Sequence, residues 1–406
     1  MRRLFVNIGC LAGIVPAGVL RKEGADMDCV GQLADAWLLA EDGRIAAFGG
    51  PQAPAPSGAD EVVDAAGGML LPAFCDSHTH IVYAGCRDGE FLDKIRGLSY
   101  EEIAARGGGI LNSADLLHET SEEELLRQSM ERVNEMIAQG TGAIEIKTGY
   151  GLNPVDELKM LRVIDRIKAL SPALIRSTFL GAHAVGRGYT RDAYVEKVCQ
   201  MMPEAARHAD FVDIFCEEGF FSVSDAEKVL QAGLRAGLRP KIHANQLAVS
   251  GGVQVGVKYG ALSVDHLEQS GAAEIEALRG TETMPTMLPG SAFFLRIPDG
   301  PAKDYLSAGL GIALASDYNP GSSPSGDMRF IWALGCIRMR LTPAQAFNAV
   351  TLNSAYAMGV SDRCGSVTVG KRADLILTRP GWSLTKIPYL HHTPFIRQVY
   401  LAGNAV

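Results

Sequence analysis

The sequence lacks the marks of several protein classes. Its eight cysteines include no C-x-x-C pair, so no disulfide framework is indicated and free thiols in a reducing cytoplasm are expected. No apolar run reaches the roughly 18 residues that a membrane-spanning helix needs. Positive charge is not in excess, since the net charge is -8 and the pI is near 5.7. The composition therefore predicts a cytoplasmic protein with no nucleic-acid partner and no membrane partner.

Short strand-like pieces occupy both ends of the chain. They fill residues 1–67, separated by turn-forming residues, and they return after about residue 365. Met1-Arg2-Arg3 and the apolar residues behind it resemble a signal peptide only superficially, because Asn7 and several glycine and proline residues interrupt the run. We predict that residues 1–67 and 365–406 form one composite β-sandwich domain.

Strand and helix signals alternate between these two ends. Eight apolar runs are typical of buried strands, and they end near Phe74, Ile146, Leu180, Phe215, Ile242, Val264, Met287 and Ala315. Amphipathic stretches lie between most of them, with helix caps predicted at Ser121, Ser224 and Thr342. The fold class predicted is therefore α/β, a (β/α)8 TIM barrel over residues 68–364 with a small β-sandwich domain formed from both chain termini.

The start of the barrel can be placed from the sequence. The apolar run 69–73 is predicted to be its first strand, followed by Asp76-Ser77-His78-Thr79-His80. A doubly wound sheet is the alternative, but it would need a Gly-rich phosphate loop after an early strand. Gly107-Gly108-Gly109 follows a helix-like stretch instead, so the barrel is favoured.

Histidines are concentrated at the ends of the predicted strands. Five of the nine lie there, namely His78, His80, His183, His243 and His266. The carboxyl ends of barrel strands share one face, where catalytic residues lie. Any one of these histidines alone would more often be a satisfied core residue, but their convergence with an aspartate predicts a metal site. Three histidines and one aspartate suit Zn²⁺ or a similar ion, which lowers the pKa of bound water from ~15.7 towards ~7.

Longer motifs in the same order carry a specific resemblance. D-S-H-T-H at 76–80, H-A-N-Q at 243–246, D-H-L-E at 265–268, S-D-Y-N-P-G at 316–321 and the closing G-x-V-x-x-G-K-x-A-D-L at 365–375 resemble those of the amidohydrolase superfamily. Within it, the chain is similar to the imidazolonepropionase family through A-G-C-R at 84–87, G-G-G-I at 107–110, E-I-K-T-G-Y-G at 145–151, E-L-K-M-L-R at 157–162, F-L-G-A-H-A at 179–184 and N-P-G-S-S-P at 319–324. The resemblance covers nearly the whole chain.

The resemblance implies a reaction and a role for each matching residue. A member of this family would hydrolyse 4-imidazolone-5-propanoate to N-formimidoyl-L-glutamate in histidine degradation, would hold one Zn²⁺ or Fe³⁺ per subunit, and could be a homodimer. The implied metal ligands are His78, His80, His243 and Asp317. The implied catalytic residues are His266, Asp317 and His183. The implied contacts to substrate or product are Arg87, Tyr150, His183, Gln246, Asn319, Gly321 and Ser322.

One departure from the family pattern concerns the general base. Asn245 and Gln246 are amides at positions where relatives commonly have an acidic residue, so His266 or Asp317 would have to act as the base. Two other functions remain open. A cytosine- or guanine-type deaminase would more often carry H-x-E on the fifth strand, and a non-catalytic barrel scaffold would usually have lost metal ligands.

The number of metal ions depends on the fourth strand. Binuclear members of the superfamily have a carbamylated lysine there, whereas this chain has Cys216-Glu217, so a single ion is predicted. Lys147 belongs to the second strand and is expected to form an ion pair beneath the site, with Glu145 or Glu217.

Overall fold

The computed structural model describes residues 1–98, 102 and 108–406, whose strands form two sheets. One sheet is built from both ends of the chain, and the other forms the barrel. Gly107, the first residue of the G-G-G-I motif, lies outside the described residues. Across the part of the chain that is described, no helix is both long and apolar enough to cross a membrane.

The first sheet joins the two ends of the chain. Its eight strands are Arg2–Ile14, Gly31–Glu41, Arg44–Gly49, Glu61–Asp64, Gly68–Pro72, Leu375–Pro380, Ile396–Leu401 and Asn404–Ala405. Gly68–Pro72 pairs antiparallel with Leu375–Pro380, which connects the N-terminal strands to the C-terminal ones. Apolar side chains from both parts, such as Phe5 and Tyr400, are buried in one shared core, as hydrophobic burial requires. The predicted β-sandwich domain from both termini is confirmed.

The second sheet is the barrel. Its eight parallel strands, numbered one to eight below, are Phe74–Thr79, Thr141–Lys147, Leu174–Ala182, Phe211–Cys216, Ile242–Ala244, Ser263–His266, Met284–Met287 and Ala313–Leu314. A short strand, Arg239–Pro240, also pairs with strand four. Two backbone hydrogen bonds close the circle, because Asp317 N donates to His78 O at 3.0 Å and His80 N donates to Tyr318 O at 2.8 Å. The predicted (β/α)8 barrel is confirmed.

Helices surround the barrel and connect its strands. The described α-helices between barrel strand one and the terminal-sheet strand Leu375–Pro380 are Asp88–Ile95, Ile110–Glu119, Glu122–Ala138, Pro154–Leu170, Arg191–Ala205, Val223–Arg235, Gly252–Lys258, Ala272–Leu278, Pro289–Leu295, Ala302–Ser307, Met328–Ile337, Pro343–Val350 and Leu352–Ala357. A 3-10 helix spans Gly24–Asp28, and a last short helix spans Lys386–Tyr389. The caps predicted at Ser121 and Thr342 are confirmed, since each side chain accepts a hydrogen bond from a backbone N–H of the first turn.

The cap predicted at Ser224 is wrong. Helix Val223–Arg235 begins two residues earlier than expected, with Ser222 as its cap and Asp225 completing the capping box. Ser222-x-x-Asp225 and Ser224-x-x-Glu227 are overlapping versions of the same local signal. Only the packed structure decides between them.

The predicted first barrel strand is also wrong. The apolar run 69–73 lies mostly in Gly68–Pro72, which belongs to the terminal sheet and pairs with Arg2–Ile14 and Leu375–Pro380. The chain passes between the sheets at the next step, where Ala73 N donates to Asp374 O and Phe74 N donates to Gly140 O, each at 2.9 Å. The histidine motif is therefore part of strand one itself. Where the two domains divide, near residue 67 or a few residues later, stays a prediction.

Candidate metal centre and substrate cavity

Four side chains converge at the carboxyl-terminal end of the barrel. His78 and His80 come from strand one, His243 from strand five, and Asp317 follows strand eight; none is more than 3% exposed. The Nε2 atoms of His78 and His80 lie 3.3 Å apart, and Asp317 Oδ1 lies 3.6 Å from each of them. The ring centre of His243 is 4.4 Å from that of His78. His78 and His80 thus lie close to both His243 and Asp317, and one ring nitrogen from each of the three histidines comes within 4.8 Å of the others. That these four side chains hold one metal ion stays a prediction.

The backbone brings these groups together through irregular geometry. The pairing register between strands one and two shifts between Asp76 and Thr79, which alters the path of the strand around His78. Asp317 adopts a φ of +54°, a conformation that L-residues rarely take. The segment before it is held by Asp76, whose carboxylate accepts hydrogen bonds from the Ser316 backbone and hydroxyl. Long-range pairing between strands one and eight therefore fixes the position of Asp317.

The protonation of the three histidines suits metal binding. Burial, followed by nearby positive charge, lowers the pKa of His78, His80 and His243 well below the usual range, so the imidazoles are neutral and keep a lone pair. Both ring nitrogens of His243 are buried without a hydrogen-bond partner. A buried polar atom without a partner is costly, and a metal ion would satisfy it. The donor set fits Zn²⁺ or a similar transition-metal ion.

His266 lies beside this cluster at the end of strand six. Its ring centre is 5.3 Å from that of His243, and its Nδ1 is 3.4 Å from Glu268 Oε1. Burial alone would lower the pKa of His266, but the carboxylates of Glu268, Asp317 and Asp265 together outweigh burial and raise the pKa to about 9. Glu268 belongs to the D-H-L-E motif, but the motif by itself predicts no role for it. Its position two residues after His266 is the sequence signal that could have indicated a contact between the two side chains.

The predicted substrate residues line one cavity. It has a volume of about 550 Å³, and Arg87, Tyr150, His183, Gln246, Asn319, Gly321 and Ser322 all contribute to its walls. An inner chamber of about 60 Å³ shares several of these residues and is also lined by His80, His243, His266 and Asp317. The structure therefore brings together every residue that the resemblance singled out. Their individual roles stay predictions.

Arg87 gives the wall of the cavity a positive charge. It stands just before helix Asp88–Ile95 and forms an ion pair with Glu90, which also accepts a hydrogen bond from Gly109 N at 2.9 Å. The Arg87 side chain is 11% exposed and lines the cavity, so it lies where a substrate carboxylate would contact it. Lys94, which sequence reasoning missed, also lines the cavity and donates to Gly321 O at 2.7 Å.

The loop after strand eight is shaped by Asn319. Its Oδ1 accepts hydrogen bonds from the backbone of Gly321 and Ser322, both at 2.8 Å, and its Nδ2 donates to Asp317 O at 2.6 Å. A Cβ atom on residue 321 would stand 2.5 Å from Arg87 Nη1, so a larger residue there would displace the guanidinium from its place in the cavity wall. Asn319 thus fixes the shape of this loop, whose residues Gly321 and Ser322 line the cavity.

The two amides after strand five occupy different surroundings. Asn245, at a φ of +60°, donates to Gln269 O at 2.9 Å and accepts from the hydroxyl of Ser250, so it holds the loop in place. Gln246 lines the cavity. An aspartate at 245 could not make the first of these bonds, which explains why the amide suits that position.

Lys147 does not pair with Glu217. The Glu217 carboxylate instead accepts hydrogen bonds from the backbone N–H groups of Gln246 and Ala248, at 2.8 and 3.0 Å. Lys147 pairs with Glu145, as one of the two expectations had it, and also with Asp213, each at 2.8 Å. The Glu217 alternative is wrong because that side chain turns toward the loop after strand five.

His183 and Tyr150 form one side of the inner chamber. The His183 ring stacks on that of His80 at 5.1 Å with an interplanar angle of 13°, and its Nδ1 lies 3.0 Å from Gly149 O. Burial lowers the pKa of His183 to about 4, so this imidazole is neutral at physiological pH. With Nδ1 facing a carbonyl, the proton is on Nδ1 and Nε2 can accept a hydrogen bond.

Comparison with known proteins agrees with this architecture. A family model described as "Amidohydrolase family" matches residues 253–406. The chain is 50% identical to an imidazolonepropionase of Flavobacterium johnsoniae, with 100% of both chains covered. Among solved structures, a triazine hydrolase variant has a TM-score of 0.74 at 13% identity, covering 100% of this chain and 94% of that one. A zinc-bound adenosine deaminase of Xanthomonas campestris has a TM-score of 0.69 at 16% identity, covering 99% and 92%.

Proposed function

The chain belongs to the imidazolonepropionase family of metal-dependent amidohydrolases, and we propose that the histidine cluster and the cavity above it form its active site. The activity is hydrolysis of the cyclic amide bond of 4-imidazolone-5-propanoate, which yields N-formimidoyl-L-glutamate in histidine degradation. One observation of the geometry supports this site above all. Three of the four proposed metal ligands, His80, His243 and Asp317, line a chamber that shares several wall residues with a cavity lined by Arg87.

Substrate binding follows from the charge and shape of the cavity. Arg87 holds the propanoate carboxylate, because a guanidinium can donate two parallel hydrogen bonds to it. Tyr150 and His183 orient the ring, with His183 Nε2 accepting a hydrogen bond from a ring N–H. Gln246, Asn319, Gly321 and Ser322 complete the wall and contact the ring or the opened product. These roles are supported by the position of each residue in the cavity lining.

Metal binding supplies the electrophilic part of the chemistry. We propose that His78, His80, His243 and Asp317 hold one Zn²⁺ or Fe³⁺ per chain, since imidazole and carboxylate ligands suit both ions. A metal ion bound there would polarise the ring carbonyl and lower the pKa of a coordinated water towards ~7. The zinc in the adenosine deaminase of the same fold is compatible with this assignment.

Two side chains move protons in this proposal. Asp317 Oδ2, the oxygen that lies 3.4 Å from the Ser322 hydroxyl, takes a proton from the attacking water. His266, whose Nδ1 faces Glu268, presents Nε2 to the chamber and gives a proton to the departing ring nitrogen. The water oxygen bonds to the carbonyl carbon, the C–N bond breaks, and the new carboxylate and the amidine nitrogen separate.

The reaction can be tested directly. Metal-loaded protein incubated with freshly generated 4-imidazolone-5-propanoate is expected to remove the ultraviolet absorbance of the substrate at a rate proportional to enzyme concentration. Protein treated with a chelator serves as the control and is expected to be inactive until Zn²⁺ is restored. Persistent absorbance, together with release of ammonia from cytosine or guanine, would show that the chain is a deaminase.

Replacing Arg87 with alanine is expected to raise KM far more than it lowers kcat. The loss of charge-assisted hydrogen bonds to the carboxylate, worth about 1.5–3 kcal/mol, corresponds to a KM increase of roughly 10- to 100-fold. Steady-state kinetics measures the change. Arg96→Ala is the matched control, since this arginine side chain is 68% exposed in the same segment. A lower melting temperature with unchanged KM would make Arg87 a structural residue.

We also propose a cellular location and a binding partner for the chain. A cytoplasmic location is supported by the eight cysteines, which are all free thiols and include the exposed Cys29 and Cys86. The partner implied by the cavity is a small molecule. The homodimer stays a prediction.

A further inference from the structure

Five charged side chains are buried directly beneath the histidine cluster. They are Glu145, Lys147, Asp213, Lys241 and Asp265, and none of them has measurable exposure. Burying ions is costly, and a well-packed apolar cluster of similar volume is often at least as stable. The proposed reaction uses none of the five. Neither stability nor the proposed reaction therefore explains why these five charged side chains are buried here.

Lys147 contacts the carboxylate oxygens that face two metal ligands. Its Nζ lies 2.8 Å from Asp213 Oδ2 and 3.4 Å from Asp265 Oδ2. Asp265 Oδ2 also lies 2.7 Å from His78 Nδ1, and Asp213 Oδ2 lies 3.0 Å from His243 Nδ1. One ammonium group therefore contacts both of the carboxylate oxygens that lie next to the Nδ1 atoms of His78 and His243.

We propose that Lys147 is a positioning residue that orients His78 and His243 together, through Asp265 and Asp213, for metal binding. The inference rests on the proposed function, in which both histidines are metal ligands. A carboxylate next to Nδ1 fixes the proton on that nitrogen and leaves the Nε2 lone pair for the metal. An aspartate can rotate about its side-chain bonds, and Lys147 holds the oxygen of each aspartate in the required place.

The two ring nitrogens of His243 have different surroundings, because only Nδ1 lies next to a carboxylate. His243 Nδ1 lies within 3.0 Å of Asp213 Oδ2 but does not meet the direction of a hydrogen bond, and its Nε2 has no partner either. The ring is thus constrained on its Nδ1 side by proximity to a fixed carboxylate. His78 is constrained more tightly, because its Nδ1 forms a hydrogen bond with Asp265.

Lys241 provides a matched control within the same cluster. It is as deeply buried as Lys147, and among the residues that the structure describes it forms an ion pair with Glu145 alone. It also donates to Ser77 O at 3.3 Å and lies 5.4 Å from the centre of the Phe211 ring. Each lysine contributes one buried cation to the same network, but of the two only Lys147 forms ion pairs with Asp213 and Asp265, the aspartates that face proposed metal ligands.

The test compares Lys147→Met with Lys241→Met in the full chain. Each protein is freed of metal, its melting temperature is measured, and Zn²⁺ affinity is determined by competition with a chromophoric chelator. We expect Lys147→Met to weaken Zn²⁺ binding by about 10- to 100-fold, as is typical for groups that support metal ligands. Lys241→Met is expected to lower the melting temperature by a similar amount while changing Zn²⁺ affinity much less. The visible spectrum of the Co²⁺-substituted protein is expected to change only for Lys147→Met.

Equal Zn²⁺ affinity in the two methionine variants would overturn the inference and leave Lys147 a structural cation. If Lys147→Met does not fold, Lys147→Arg and Lys241→Arg replace the pair, because both keep the charge. The wider guanidinium is expected to displace the aspartate oxygens and weaken Zn²⁺ binding at 147 only, and equal binding would again overturn the inference. Failure of the unsubstituted chain to bind Zn²⁺ would instead contradict the proposed metal centre.

Discussion

Replacing His243 with alanine is expected to leave the purified chain with far less than one metal ion and to slow hydrolysis by about 10³-fold. The side chain is 2% exposed, and both of its ring nitrogens lack a partner within the protein. Its removal therefore takes away a ligand without breaking an internal hydrogen bond. Loss of the metal's electrophilic contribution, several kcal/mol, accounts for a rate effect of that size. Elemental analysis and steady-state kinetics measure the two changes.

The control for this prediction is a histidine far from the cluster. His118 pairs with Asp156 on the outside of the barrel, and its side chain is 68% exposed. His118→Ala is expected to retain metal and activity. The metal-free His243→Ala protein is expected to melt close to the chelated unsubstituted protein. A variant that keeps a full metal ion would remove His243 from the ligand set.

Replacing His266 with alanine is expected to lower kcat by roughly 10²- to 10⁴-fold, the usual contribution of a general acid or base. Metal content is expected to remain near that of the unsubstituted protein, because the four proposed ligands, His78, His80, His243 and Asp317, are unchanged. The two readouts separate a proton-transfer role from a ligand role. They are measured on the same preparation, by single-turnover kinetics and by elemental analysis.

The alternative for His266 is specific. Its ring nitrogens lie close enough to His78 and Asp317 for the three to hold an ion together. Loss of metal in His266→Ala would therefore assign it to the ligand set. Added imidazole offers a second test, since a free ring can fill the space left by the alanine. Partial recovery of kcat, with metal content unchanged, is the result expected for a proton-transfer residue.

Backbone strain is concentrated where these residues lie. Asn245, His266, Leu267 and Asp317 all have positive φ angles, between +54° and +88°, and all follow or end barrel strands at the site. Such conformations cost about 1–3 kcal/mol each and persist only when the surrounding structure holds them. Here the constraints are long-range, such as the hydrogen bond from Asp317 N to His78 O. The barrel thus stabilises side-chain positions that the local sequence would not adopt.

The sequence determined that the chain forms a barrel and which residues lie at the carboxyl-terminal end of its strands. Alternating strand and helix signals are local, and parallel barrel strands necessarily bring their carboxyl ends to one side. That is why His78, His80, His243 and Asp317, distant in the sequence, could be placed together before any coordinates. The cavity lining follows from the same rule combined with the family motifs, and it includes all seven predicted contact residues.

The tertiary structure alone decided which groups face each other. Apolar run 69–73 carries no mark of which sheet it joins, and Lys147 carries none that favours Asp213 and Asp265 over Glu217. Pairing between strands depends on register and on side chains contributed by remote segments, whereas periodicity reports only the exposure pattern within one segment. The sequence and its family motifs therefore predicted which residues meet at the proposed metal centre, and the packing of the barrel decided which charged groups lie beneath them.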